Sequence, residues 1–188
     1  DENDIPTQEY ALILKNRMQN ITMNKQTKFI FDNVVNDPKV FSILNIGYRD
    51  ESDPTLMINT LGEGKTWTVL EVFHENCETM KKHGMDVIEM DVRDIKNIDR
   101  KFDAIIWLHG PEHIMWEEFL ECRTDIENKA NHLVVYQAPI GVYPQDALYD
   151  NPYEKHVSTL YSSMFSDLGY KTEEYGIDEP TFSAWIYT

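Results

Sequence analysis

Short apolar runs alternate along this chain with stretches in which apolar residues recur every three or four positions. Residues 41–46, 67–73, 86–90, 102–108 and 132–136 have strand length and read as buried strands, 102–108 being apolar almost throughout. The helical spacing appears first at 8–20, with Ala11, Leu14 and Met18, and again at 24–36, where Phe31, Val34 and Val35 precede the stop at Pro38. Asp53-Pro54 pairs an N-cap residue with a proline at the first helical position, and Leu56, Met57 and Leu61 share the face that follows before Gly62. His74–Lys82 reads as a helix closed by Gly84. A further helix follows His109-Gly-Pro-Glu-His113 and runs to about Asn128, with Met115, Phe119, Cys122 and Ile126 on one stripe. A helix over 156–168 spaces Val157, Leu160, Tyr161, Met164 and Leu168 for burial and is capped by Gly169. Two last strands, 170–175 and 181–187, close the chain.

Strands alternating with helices imply a parallel sheet with right-handed crossovers. The last two strands are joined by residues 176–180, too short a link for a crossover, so they must form an antiparallel hairpin. The expected fold is therefore α/β, a mostly parallel seven-stranded sheet with a C-terminal antiparallel hairpin, preceded by two N-terminal helices. No repeat or low-complexity linker divides it, and residues 1–188 are expected to form one domain, 1–38 a helical extension and 40–188 the core.

Strand, glycine turn, helix and a strand ending near an acid is an arrangement suited to a nucleoside-bearing cofactor. Here these are residues 41–46, Gly47, the helix begun by Asp53-Pro54, and the strand that ends near Glu71. The formal charge of −16, from 33 acidic and 17 basic residues, sets up a field that repels nucleic acid, and no basic stripe offsets it. No apolar run reaches the roughly 18 residues of a membrane span. Cys77 and Cys122 lack zinc-site spacing and read as reduced, semi-buried residues of a cytoplasmic protein.

Four segments resemble the class I S-adenosylmethionine-dependent methyltransferases. Leu44-Asn-Ile-Gly47 is similar to that family's first-strand motif, Leu70-Glu-Val-Phe73 to its second strand with a ribose-binding acid, and Asp91-Val-Arg-Asp94 to the acidic turn beside the adenine. Phe102-Asp-Ala-Ile-Ile-Trp-Leu-His-Gly-Pro-Glu-His-Ile114 resembles its fourth strand and the frequent Glu-His-hydrophobic ending. The late helix before Gly169-Tyr170 is a further likeness, and the whole covers about residues 40–188. It implies a Rossmann-like, doubly wound sheet and S-adenosylmethionine as cofactor. The implied cofactor residues are Asn45, Gly47, Tyr48, Arg49, Glu71, Val72, Asp91, Val92 and Trp107. The first motif departs from the family's acid and three alternating glycines, having Asn45, Gly47, Arg49 and Glu51 in those places. Asn45 offers only a carbonyl in place of a carboxylate, and Arg49 narrows the backbone approach while offering a partner for the methionine carboxylate.

Glu71 suits a ribose diol, because a carboxylate accepts two hydroxyl hydrogens; the alternative is a solvated edge acid. Asp91 reads equally as an adenine contact or a capping aspartate. His109-Gly-Pro-Glu-His113 also matches the zinc-protease pattern H-x-x-E-H, but Gly110-Pro111 keeps the two histidines off one helical face. His109, first polar residue past the fourth strand, is the expected general base, with His113 and His156 as second candidates and Glu112 in a positioning role. His113 is alternatively a histidine bonded to its own helix end. The segment 138–155, with Tyr143 and Tyr153, reads as a lid, a rigid surface loop or a contact in a homodimer. These readings lead to methyl transfer onto a small-molecule acceptor, with no metal, nucleic acid or membrane required. The alternative is an inactive methyltransferase-like binding module, which the depleted glycine motif favours.

Overall fold

The computed structural model describes residues 25–47 and 64–188. The helices expected at 8–20 and from Asp53-Pro54, and the candidate site residues Tyr48 and Arg49, lie outside the described residues. Seven strands, β1 (Ser42–Ile46), β2 (Thr66–Glu71), β3 (Asp86–Glu89), β4 (Phe102–Leu108), β5 (Ala130–Pro139), β6 (Lys171–Tyr175) and β7 (Thr181–Tyr187), form one sheet. Their order is β3-β2-β1-β4-β5-β7-β6. The first five pair in parallel, and β7 lies antiparallel between β5 and β6, as the short hairpin link requires. This is the expected Rossmann-like sheet. Its order reverses between β1 and β4, and ligands of such sheets bind at the carboxyl ends of the strands on either side of that point.

Alternation along β4 decides which side chains meet which layer. Ala104 and Ile106 join Ile43, Leu133 and Val135 under Phe29, Ile30, Val34 and Val35. Those last four come from α1 (Lys25–Ile30) and the π-helical turn Phe31–Val35 that continues it, so the helix expected at 24–36 packs flat on the sheet. Ile105 and Trp107 face the other way, toward Phe119, Tyr136 and Phe165. That second layer is built from α3 (Trp116–Lys129) and α4 (Ser162–Ser166), and α2 (His74–Lys82) covers the sheet beside Val69 through Met80. The Phe119 ring stands 5.1 Å from both Tyr136 and Phe165, a tight aromatic centre beneath the site. Cys77 and Cys122 are fully buried rather than semi-buried, and burial pushes both thiols up to about 12.

The helix expected over 156–168 is cut to Ser162–Ser166. Residues before it run extended because their amides are taken by distant carbonyls. Val157 and Ser158 donate to the Glu112 carbonyl at 2.9 and 3.1 Å, and Leu160 bridges to Gly141, whose amide donates to it at 2.7 Å. Val157 and Tyr161, expected inside, are consequently exposed. Met115 is also exposed rather than part of the buried α3 stripe: it sits at the N-cap, where Glu118 Oε2 accepts its amide at 3.0 Å.

Candidate active site

The carboxyl ends of β1, β2, β3 and β4 open on one cavity of about 490 Å³. Gly47 begins it in a left-handed conformation, φ 82°, and its amide donates to Leu70 at 2.8 Å. Asn45 lies just behind, fully buried, with Nδ2 donating to the Gly47 carbonyl at 3.1 Å. Its Oδ1 has no partner among the described residues. Glu71 is not the cleft-surface acid expected from sequence, since only 5% of it is exposed. Its Oε1 accepts from the Phe73 amide at 2.7 Å, which holds the carboxylate at the end of β2 beside Val72 in the cavity wall.

Asp91 serves as the capping aspartate that was one of its two readings. It accepts from the Arg93 amide at 2.9 Å and from Arg93 Nη2 at 2.6 Å, at the head of the 3-10 helix Val92–Asn97. The Arg93 guanidinium holds the Asp91 carboxyl below the usual carboxylate range. Asp91 and Val92 both still line the cavity.

At the end of β4, Trp107 is buried and turns its indole under Gly110. His109 stands between them at φ 49°, a left-handed geometry that non-glycine residues rarely adopt and that recurs at functional sites. Its side chain is half exposed at the cavity mouth, as expected. The turn Pro111–His113 then drops Glu112 inward. Burial pushes the Glu112 carboxyl up to about 8, Glu154 adds to the effect, and its own backbone amide opposes it.

His113 is bonded both within its own turn, at the His109 backbone, and to a distant segment. Its Nδ1 donates across the fold to the Lys155 carbonyl at 3.2 Å, and burial and the adjacent His156 bring its pKa down to about 4. His156 comes from the far segment and donates Nδ1 to the Tyr143 carbonyl at 2.6 Å. All four catalytic candidates thus line one cavity, together with Asn45's neighbour Gly47 and the acids Glu71 and Asp91. Sequence reasoning missed Gln145, Asn151 and Glu154, which also line it. The Asn151-Pro152 turn signal was available, since Asn151 caps the turn Pro152–Glu154 through its side chain. Nothing local marks Gln145, whose Nε2 reaches the Glu154 carbonyl at 2.6 Å.

Neither a protein-family model nor the sequence of a curated protein matches the chain. Solved structures do match its fold. The complex of DhpI with SAH superposes with a TM-score of 0.62 at 13% identity, over 85% of this chain and 81% of that one. A SAM-dependent methyltransferase from Archaeoglobus fulgidus gives 0.59 at 14% identity, over 95% and 94%. Magnesium protoporphyrin IX methyltransferase (ChlM) from Synechocystis, solved with bound SAM, gives 0.55 at 11%, over 94% and 79%. The chain has the fold of the class I S-adenosylmethionine-dependent methyltransferases.

Proposed function

We propose that this chain transfers a methyl group from S-adenosylmethionine to a small molecule bearing a hydroxyl or amine. The observation that carries the reading is that Glu71, at the end of β2, and His109, at the end of β4, line one cavity on either side of the switch point. The cavity lies within the 300–1,000 Å³ range of small-molecule sites at about 490 Å³. The residues present suit the cofactor. The Glu71 carboxylate, anchored by the Phe73 amide, is oriented to accept from a ribose diol, and Gly47 lets the chain turn without a side chain in the way. Buried Asn45 Oδ1 offers an acceptor that no described group uses. Tyr48 and Arg49 belong to the same reading through the sequence motif.

When bound, the cofactor supplies an electrophilic methyl on a sulfonium. The chain's part is to exclude water, align the acceptor and take its proton. Tyr143, Gln145 and Tyr153 wall the acceptor side, and His109 is the half-exposed imidazole placed to accept the proton. Glu71 and the Gly47 turn would hold the cofactor as it gives its methyl to the acceptor's oxygen or nitrogen and departs as a neutral thioether, while His109 would take the acceptor's proton. A net charge of −16 argues for small rather than polyanionic acceptors, and two buried free thiols suit a reducing, cytoplasmic setting. Calorimetric titration with S-adenosylmethionine and S-adenosylhomocysteine tests the cofactor, followed by a transfer screen with methyl-labelled cofactor over hydroxyl- and amine-bearing metabolites. Saturable binding and labelled product are expected. Absence of binding overturns the reading in favour of an interaction module.

A further inference from the structure

Glu112, His113 and His156 form a group that displacement from a sulfonium does not call for. Each brings one ligand atom, and these atoms all lie within 4.8 Å of one another. His156 Nε2 stands 4.0 Å from Glu112 Oε1, and the two imidazoles meet edge to face with centroids 4.8 Å apart. Glu112 is 2% exposed, and its buried Oε2 has no hydrogen-bond partner among the described residues. A buried carboxyl left this way costs stability unless something occupies the space in front of it.

The histidines are oriented from behind. His113 Nδ1 meets the Lys155 carbonyl at 3.2 Å and His156 Nδ1 meets the Tyr143 carbonyl at 2.6 Å. A carbonyl only accepts, so both rings hold their proton on Nδ1 and keep the lone pair on Nε2. Metal-ligating histidines are typically fixed in this way by an outer carbonyl. The backbone secures the same geometry, because the amides of Val157 and Ser158 both donate to the Glu112 carbonyl and tie the two segments together beside the cluster.

We propose that Glu112, His113 and His156 bind a divalent transition-metal cation, leaving open coordination positions toward the cavity. Two imidazoles and one carboxylate suit zinc, manganese, iron or cobalt, whereas calcium and magnesium favour all-oxygen shells. Bonds of about 2.0–2.2 Å draw ligand atoms to roughly 3–3.5 Å of one another, so binding contracts the cluster by about 1 Å, within reach of side-chain rotation. His109 Nδ1 lies 3.8 Å from Glu112 Oε1, so an acceptor on the cation would sit beside the proposed base. That use of the cation, to hold the acceptor's oxygen or nitrogen, rests on the methyl-transfer reading; the binding site itself does not. It departs from the expectation that no metal is required.

The test uses the full chain stripped with chelator and titrated calorimetrically with zinc, manganese and cobalt salts, with cobalt absorption and thermal denaturation as parallel readouts. One cation per chain, a cobalt spectrum of nitrogen–oxygen ligation and a raised melting temperature are expected. Glu112→Gln and His156→Ala should each weaken binding at least about tenfold. His113→Gln is the second variant should Glu112→Gln fail to fold. His74→Ala, at the exposed group His74, Glu78 and Glu89, should leave affinity unchanged. No binding, or binding that survives His156→Ala and His113→Gln, overturns the site. Metal binding without S-adenosylmethionine binding would leave the site standing and remove only its role in transfer.

Discussion

A Cβ on Gly110 would stand 1.7 Å from Trp107 Nε1, so the indole occupies space that any other residue at 110 would need. The backbone that carries His109 is held by that contact between the end of β4 and the turn after it.

Gly110→Ala should therefore displace the indole and tilt His109. The expected cost is about 1–3 kcal/mol, typical of overpacking, read from urea denaturation, with Trp fluorescence reporting the moved indole. A variant as stable as the parent with an unchanged spectrum would show that the turn yields freely.

Glu71→Gln should weaken S-adenosylmethionine binding by about 1–3 kcal/mol, the usual loss for a charge-assisted hydrogen bond. Glutamine keeps a carbonyl oxygen that can accept from the Phe73 amide, so the melting temperature without ligand should move little. Equal affinity in parent and variant, by calorimetry, removes Glu71 from the cofactor site.

His109→Ala should lower turnover by roughly 10²–10⁴-fold, the span for loss of a general base, with cofactor affinity nearly constant. His109→Gly should be the more stable of the two variants by about 1 kcal/mol, because glycine adopts φ 49° without strain. Parent-level turnover in either variant moves the proton transfer to another group.

Asp91 offers a pH test. The Arg93 guanidinium lowers its folded pKa, so its contribution is fully present above the usual carboxylate pKa and is lost as pH falls through the lower folded value. Urea midpoints should decline below about pH 4, and Asp91→Asn should decline less steeply there while starting lower at neutral pH. Because Arg93 is substantially exposed, high salt should shrink the difference. Identical pH profiles for the two proteins would falsify the assignment.

The sequence by itself determined the elements whose signals are local. Strand β4 and helix α2 occupy the residues their periodicity indicated, and the short link after Tyr175 forced the last strand to lie antiparallel to β6. The placement of Glu71, Asp91 and His109 on one cavity was legible for a related reason: each stands at or just past the end of a strand, and a parallel sheet gathers its strand ends on one side. Tertiary structure decided what depends on groups far apart in the chain. The apolar spacing at 156–161 was helical, yet the amides of Val157 and Ser158 donate to the Glu112 carbonyl, and the segment runs extended in consequence. The same contacts carry His156 onto His113 and close Glu112, read from sequence only as a positioning residue, from water, with one oxygen unused among the described residues. Periodicity records which face of an element is apolar; it holds no record of which distant carbonyl will take an amide, and that hydrogen-bond choice is what assembled the cluster.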